Sequence, residues 1–321
     1  MTSRLLMPVR ARDAEALARE VPGSTRPTPV LDLEHPLVTE LVARVLRESA
    51  ARGAVTDRAR LQVAHGILVT AVRPVYSVED RRRVSRTLRL GRGSCSQRMA
   101  VLEAVARSLG VETRVRGLLV DGSFWYPRFP KLRAFVPEEV LLAWPEFRLD
   151  GAGGADGTDG GTGDAWVPIA ELFTGLGPSA HGGGFTNSGA ETLFEAVART
   201  AVDWDAPVAC AGSAPCDLSA HLRADLGRFS SRDELFDLHG QTLCRTARTL
   251  AEPVLGRWNA GAGDGGTRGV SCRSGRARGA WHRASPRCRR STTLRVASLL
   301  RLAMPGTRRR SLIRPDRQDT P

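Results

Sequence analysis

Gly91-Arg92-Gly93-Ser94-Cys95-Ser96-Gln97-Arg98-Met99-Ala100-Val101-Leu102-Glu103-Ala104-Val105-Ala106-Arg107-Ser108-Leu109-Gly110 is the stretch on which the reading of the fold turns. Ser94 is suited to cap a helix, Met99, Leu102, Ala106 and Leu109 recur on one face, and Gly110 closes it. The glycines ahead of Ser94 permit a tight turn. Cys95 then falls in the first helical turn, where unpaired backbone N–H groups and the positive end of the helix dipole favour a thiolate, and Arg92 and Arg98 add positive charge. A cysteine so placed can act as a nucleophile. The plain alternative is a small buried apolar residue.

Upstream, Pro36 suits a first helical turn, and Leu37, Leu41, Val45 and Leu46 follow at helical spacing before Gly53. A second helix is predicted from about Asp57 to Val72, with Leu61, His65, Leu68 and Val72 on one face; His65 reads as a core histidine with a satisfied ring. Downstream the period becomes alternating. Val111, Thr113 and Val115 predict a strand that runs toward Val120 and ends at Asp121-Gly122, with further strands over Val140–Leu149 and Ala165–Ile169. Gly151–Gly163 holds seven Gly, two Ala, two Asp and two Thr, a hairpin insertion with no Lys-Ser/Thr to make it a phosphate cradle. Residues 170–258 read as helices and loops, including Ala190–Ala201 and Arg232–Leu250.

Taken together, Thr87-Leu88-Arg89-Leu90-Gly91-Arg92-Gly93-Ser94-Cys95, the helix ending Ser108-Leu109-Gly110 and the strand Val111-Glu112-Thr113-Arg114-Val115 resemble the transglutaminase-like superfamily of papain-like cysteine acyltransferases and hydrolases. The resemblance spans about residues 36–172. It implies an α+β, papain-like core of N-terminal helices, a nucleophile helix and an antiparallel sheet, followed here by a helical C-terminal region. It also implies a mechanism in which the cysteine attacks an amide carbonyl, amine leaves, and water or a second amine resolves the thioester. The substrate is then a peptide or protein amide, or a small amine. Trp125, Trp144, Arg92 and Arg98 are the expected groove residues.

That chemistry needs a histidine base oriented by an aspartate, and this sequence departs from the family pattern at both. Trp144 matches the aromatic two residues past the histidine, whose own position is Leu142; Ala170 stands where the aspartate is expected. Three replacements are open: His181 with Asp164 as its orienter, His221 or His239 from the C-terminal region, or Glu146. Glu146 also reads as a plain ladder charge on the strand. The alternative to an enzyme is a pseudoenzyme, a binding or scaffold protein that keeps the fold and groove.

Other constellations carry less. His181-Gly182-Gly183-Gly184 resembles a lipase oxyanion loop, but no Gly-x-Ser-x-Gly elbow accompanies it. Cys210, Cys216, His221, His239 and Cys244 lack structural-zinc spacing, and no acidic calcium loop is visible, so neither metal nor other cofactor is expected. Arg81-Arg82-Arg83, followed by Arg86, Arg89 and Arg92, reads as a solvated face, with attraction of acidic ligands as its functional alternative. Phe124-Trp125-Tyr126-Pro127 and Phe129-Pro130 form an aromatic loop that walls a groove or covers a sheet edge.

The 321 residues carry a formal charge of +13, yet residues 261–321 hold 15 Arg against 3 Asp and so supply +12 of it. The remainder is near neutral, which argues against a nucleic-acid surface spread over the fold. Four zones are expected: a flexible segment 1–30, the transglutaminase-like domain 31–175, a helical region 176–258, and a disordered basic tail 259–321. The tail reads as a solvated extension, as the product of a frameshift in a GC-rich gene, or as a disordered basic arm with a short amphipathic helix over Leu294–Met304 that meets nucleic acid or an anionic surface. No leader peptide or membrane span is expected, and six scattered cysteines fit the cytoplasm.

Overall fold

The computed structural model describes residues 21–130, 133, 136–149, 165–173, 184–200, 202–205 and 217–240, and singly 249, 252, 253, 255, 257 and 260. Asp164, His181, Gly151–Gly163, Cys210, Cys216, Cys244 and the segment 261–321 lie outside them. Four helices come first: α1 (Pro36–Ala51), α2 (Asp57–Ala71), α3 (Val84–Leu90) and α4 (Cys95–Ser108). Two short strands, β1 (Arg73–Pro74) and β2 (Arg92–Gly93), pair in parallel between them.

Local chemistry sets the helix ends. His35 Nδ1 accepts the Leu37 N–H at 3.2 Å ahead of Pro36, and Thr56 Oγ1 accepts the Ala59 N–H at 3.2 Å. Gly91 ends α3 in the left-handed region at φ 56°, which an L side chain rarely adopts. Of the expected α1 face, Leu41 and Val45 are buried; Val38 joins them in place of Leu37, since a straight helix aligns positions i, i+3 and i+7, and Leu46 is left in solvent. In α2 the expected face of Leu61, His65 and Leu68 is buried, and Val72 continues it.

Behind α4 lies an antiparallel sheet in the order β5-β4-β3-β6, formed by β3 (Thr113–Asp121), β4 (Glu139–Leu149), β5 (Ala165–Pro168) and β6 (Leu222–Phe229). The β3–β4 ladder runs unbroken from Thr113 opposite Phe147 to Asp121 opposite Glu139. The mixture of helix and curled antiparallel sheet is an α+β architecture. Strand β6 corrects the expectation of helices and loops alone after residue 170. Its sequence, Leu-Arg-Ala-Asp-Leu-Gly-Arg-Phe, hides a strand because it is a sheet edge whose charges pair sideways: Arg223 with Asp121, Asp225 with Arg116 at 2.7 Å, Arg228 with Glu146 at 3.2 Å.

The sheet separates two apolar clusters. The larger joins α1, α2 and α4 to Leu118, Leu142, Trp144 and Phe147; the smaller packs Val115, Leu141, Ala143, Leu226 and Phe229 under α6 (Arg232–His239). Gly117 lets α6 approach, since a Cβ there would lie 2.6 Å from Leu235 Cδ1. Of the helix expected over Ala190–Ala201, the structure shows the four residues of α5 (Leu193–Ala196). Among the described residues no helix is long and apolar enough to cross a membrane.

Every side chain of α4 from Gln97 to Arg107 is buried, so the single apolar face expected from sequence is only one side of an enclosed helix. Its charges are paired internally. Arg232 donates to Glu103 Oε1 at 2.5 Å, to Ser96 Oγ at 3.1 Å and to the Ala143 carbonyl at 3.3 Å, and neither Arg232 nor Glu103 has exposed surface. Burial pushes the Glu103 carboxyl up, while Arg232 and Arg107 draw it back. Removing one partner strands the other charge in the core. Arg232→Ala is therefore expected to lower stability by about 3–5 kcal/mol in urea unfolding, whereas Arg232→Met combined with Glu103→Leu costs much less.

Candidate functional site

The helix that carries Cys95 is fixed at its start by a reciprocal cap. Ser94 Oγ accepts the Gln97 N–H at 3.3 Å, and Gln97 Oε1 accepts the Ser94 N–H at 3.0 Å. Gln97 Oε1 also accepts from Arg82 Nη1 at 3.0 Å, and its amide nitrogen donates to Ser77 Oγ and the Glu79 carbonyl, each at 2.8 Å. Gly93 is required here for space: a Cβ would lie 2.8 Å from Thr87 Cγ2 and 3.3 Å from Gln97 Cβ. Sequence reasoning missed this network, although Ser-x-x-Gln ahead of an apolar run is the signature that reveals it.

Cys95 itself is half-buried, a free thiol packed against the larger apolar cluster. Tyr76 lies close enough to feel its charge. Burial pushes the Tyr76 phenol up to about 12; Arg128 lowers it and Cys95 raises it. Arg128 is anchored to Asn187 Oδ1 at 2.8 Å and the Ala260 carbonyl at 3.0 Å, and the Tyr76 ring packs 4.5 Å from Phe129. The aromatic loop thus stands on the Cys95 side of the molecule. Trp125 in it stays half-buried against the same cluster.

The other expected groove residues divide. Arg92 is half-buried on β2, at the edge of a cavity. Arg98 has no exposed surface: it pairs with Glu195 Oε1 at 3.1 Å, bonds Thr192 Oγ1 at 3.3 Å and stacks on Phe194 with its guanidinium carbon 4.4 Å from the ring centroid. Trp144 is equally enclosed, edge-on to Trp204 at 5.3 Å. Both are core side chains in this structure. The solvated reading of Arg82 is corrected too, since it is buried among Glu79, Glu252, Gln97 and Ser77.

The positions expected for a base and its orienter are apolar and inside the core: Leu142 lies opposite Leu118 in the β3–β4 ladder, and Leu142 and Ala170 belong to the cluster against which Cys95 packs. Glu146 is held as a ladder charge, 2.6 Å from Arg114 Nε and 3.2 Å from Arg228 Nε. The four described histidines make the following contacts, none of them to Cys95. His35 caps α1, His65 Nε2 meets the Phe194 carbonyl at 2.6 Å, His221 lies edge-on to Phe124 at 5.2 Å and His239 edge-on to Phe229 at 5.4 Å. Among the described residues no side chain hydrogen-bonds the Cys95 thiol, and no group of three or more His, Cys, Asp or Glu is arranged to hold a metal. His181 and Asp164, the expected replacement base and its orienter, lie outside the described residues.

The family model described as the Transglutaminase-like superfamily matches residues 41–169, from α1 to the end of β5. No curated protein and no solved structure matches the chain.

His65 yields a pH prediction. Burial lowers its pKa from the ordinary 6.5, against the raising effect of the Phe194 carbonyl. Below pH 6.5 the unfolded chain takes up a proton that the folded chain refuses, so stability falls as pH drops from about 6.5 toward the folded value. Burial lowers His239 in the same sense. Denaturant unfolding of His65→Phe between pH 7.5 and 5 is therefore expected to show a shallower loss than the parent, with a residue of slope left by His239.

Proposed function

We propose that this chain, whose residues 41–169 match the model of the Transglutaminase-like superfamily, is a non-catalytic member of it that keeps the fold and the Cys95 groove as a binding surface. The observation that carries the reading is the replacement of both catalytic partners by core packing. Leu142 and Ala170 offer no proton acceptor, Glu146 is committed to two arginines, and no described histidine hydrogen-bonds the thiol. Loss of a general base commonly costs a factor of about 10² to 10⁴ in rate. The half-buried thiol and the aromatic loop around Tyr76, Trp125 and Phe129 remain as the surface on which a peptide amide or a small amine is held.

A second reading rests on the capped helix start. Gln97 and Ser94 hold Cys95 at the positive end of a 14-residue helix, the placement a thiolate nucleophile uses. In that version His181, oriented by Asp164, takes the thiol proton and the sulfur attacks the amide carbonyl. The amine leaves with that proton, and water or a second amine splits the thioester.

Intact-mass analysis decides between the two. The protein is incubated with p-nitrophenyl acetate and with a glutamine-containing casein plus a fluorescent primary amine. The binding reading predicts no amine incorporation and no acyl adduct that Cys95→Ala abolishes. A Cys95-dependent adduct that also disappears in His181→Ala establishes the enzyme instead.

A further inference from the structure

Beside the turn from α3 to β2 lies a cavity of about 310 Å³ whose wall includes Arg82, Arg86, Arg92 and Arg257, together with Leu90 and Glu252. Four guanidiniums thus face one carboxylate, and that carboxylate is already spent inside the fold. Glu252 accepts from Ser77 Oγ at 2.8 Å, from the Val78 N–H at 3.0 Å and from Arg82 Nη2. Arg82 is buried, and its other N–H groups go to Glu79, Gln97 and Ser77. The Arg82–Glu252 pair therefore cancels, and it also stiffens the wall through Gln97.

The charge left on the cavity is that of Arg86, Arg92 and Arg257. Arg86 approaches Glu79 only at 4.0 Å with most of its side chain in solvent. Arg92 and Arg257 pair with no acid among the described residues. Arg73, opposite Arg92 in the two-stranded ribbon, is exposed beside them. A concavity that collects two unpaired guanidiniums, Arg92 and Arg257, and a third, Arg86, held only loosely by Glu79, above a buried, fixed ion pair is suited to an anion of more than one charge. Planar guanidinium forks match the oxygens of a phosphate, and a single carboxylate would leave most of these donors unused. The volume is at the lower end for small-molecule sites, enough for a phosphate and a small body laid against the exposed side chain of Leu90.

We propose that this cavity binds a small phosphate-bearing molecule. The site is separate from the Cys95 groove and stands whether or not the thiol is catalytic. Its test is isothermal titration of the full chain with pyrophosphate at low ionic strength, set against a single-stranded RNA oligonucleotide. One-to-one binding is expected, weakened about tenfold or more in the double variant Arg92→Gln, Arg257→Gln, and unchanged in Cys95→Ala and in Arg148→Gln, which removes the same charge from the far end of β4. Should the double variant not fold, as judged by its melting curve, Arg257→Gln alone carries the test, because that side chain is exposed. The proposal is overturned if pyrophosphate does not bind, if Arg148→Gln weakens it as much as the pocket variants do, or if only the oligonucleotide binds.

Discussion

A helix closed in on every side that still carries three charged side chains is the constraint around which this fold is organised. Arg98, Glu103 and Arg107 of α4 are all buried, and a charge taken from water is tolerated only when it is paired and hydrogen-bonded. Each recruits a different part of the chain. Arg98 holds Thr192 and Glu195 at α5, Glu103 holds Arg232 at the start of α6, and Arg107 reaches Thr113, the Arg26 carbonyl at 2.7 Å and the Ser230 carbonyl at 2.8 Å. Segments far apart in sequence are thereby tied to one axis. The matched domain and the elements C-terminal to it share that axis, so α5, β6 and α6 complete the core of the domain.

The same helix positions Cys95 at its first turn. Its helix is held rigidly by the Ser94–Gln97 cap and by the Arg82 network behind it, which is the positioning a nucleophile needs. Positioning alone does not remove a proton. The strand that faces α4 presents Leu142 and Trp144, β5 leads into Ala170, and all three belong to the apolar cluster against which Cys95 packs.

Long periodic elements were legible in the sequence because their signal is local. The cap and end of α4, the alternation of β3, the extent of β4 and the core role of His65 all follow from residues within a turn or a strand of one another. What was hidden depends on partners remote in sequence. Arg82 looks like one of a solvated arginine run until Glu252, 170 positions later, folds against it. Strand β6 looks like a charged loop until β3 supplies Asp121 and Arg116 as cross-strand partners. Trp144 and Arg98 carry side chains fit for a groove, and only the closure of α5 and Trp204 over them makes them core. The apolar substitutions at Leu142 and Ala170 could be read directly.

The central claim, that the thiol of Cys95 works with no imidazole, is open to one direct measurement. Imidazole C–H resonances of all six histidines are followed by NMR through a pH titration of the wild-type chain and of Cys95→Ala. The account predicts that the two sets of titration curves superimpose. A histidine whose midpoint moves by about one pH unit or more when the thiol is removed is the imidazolium of a catalytic pair, and would contradict it.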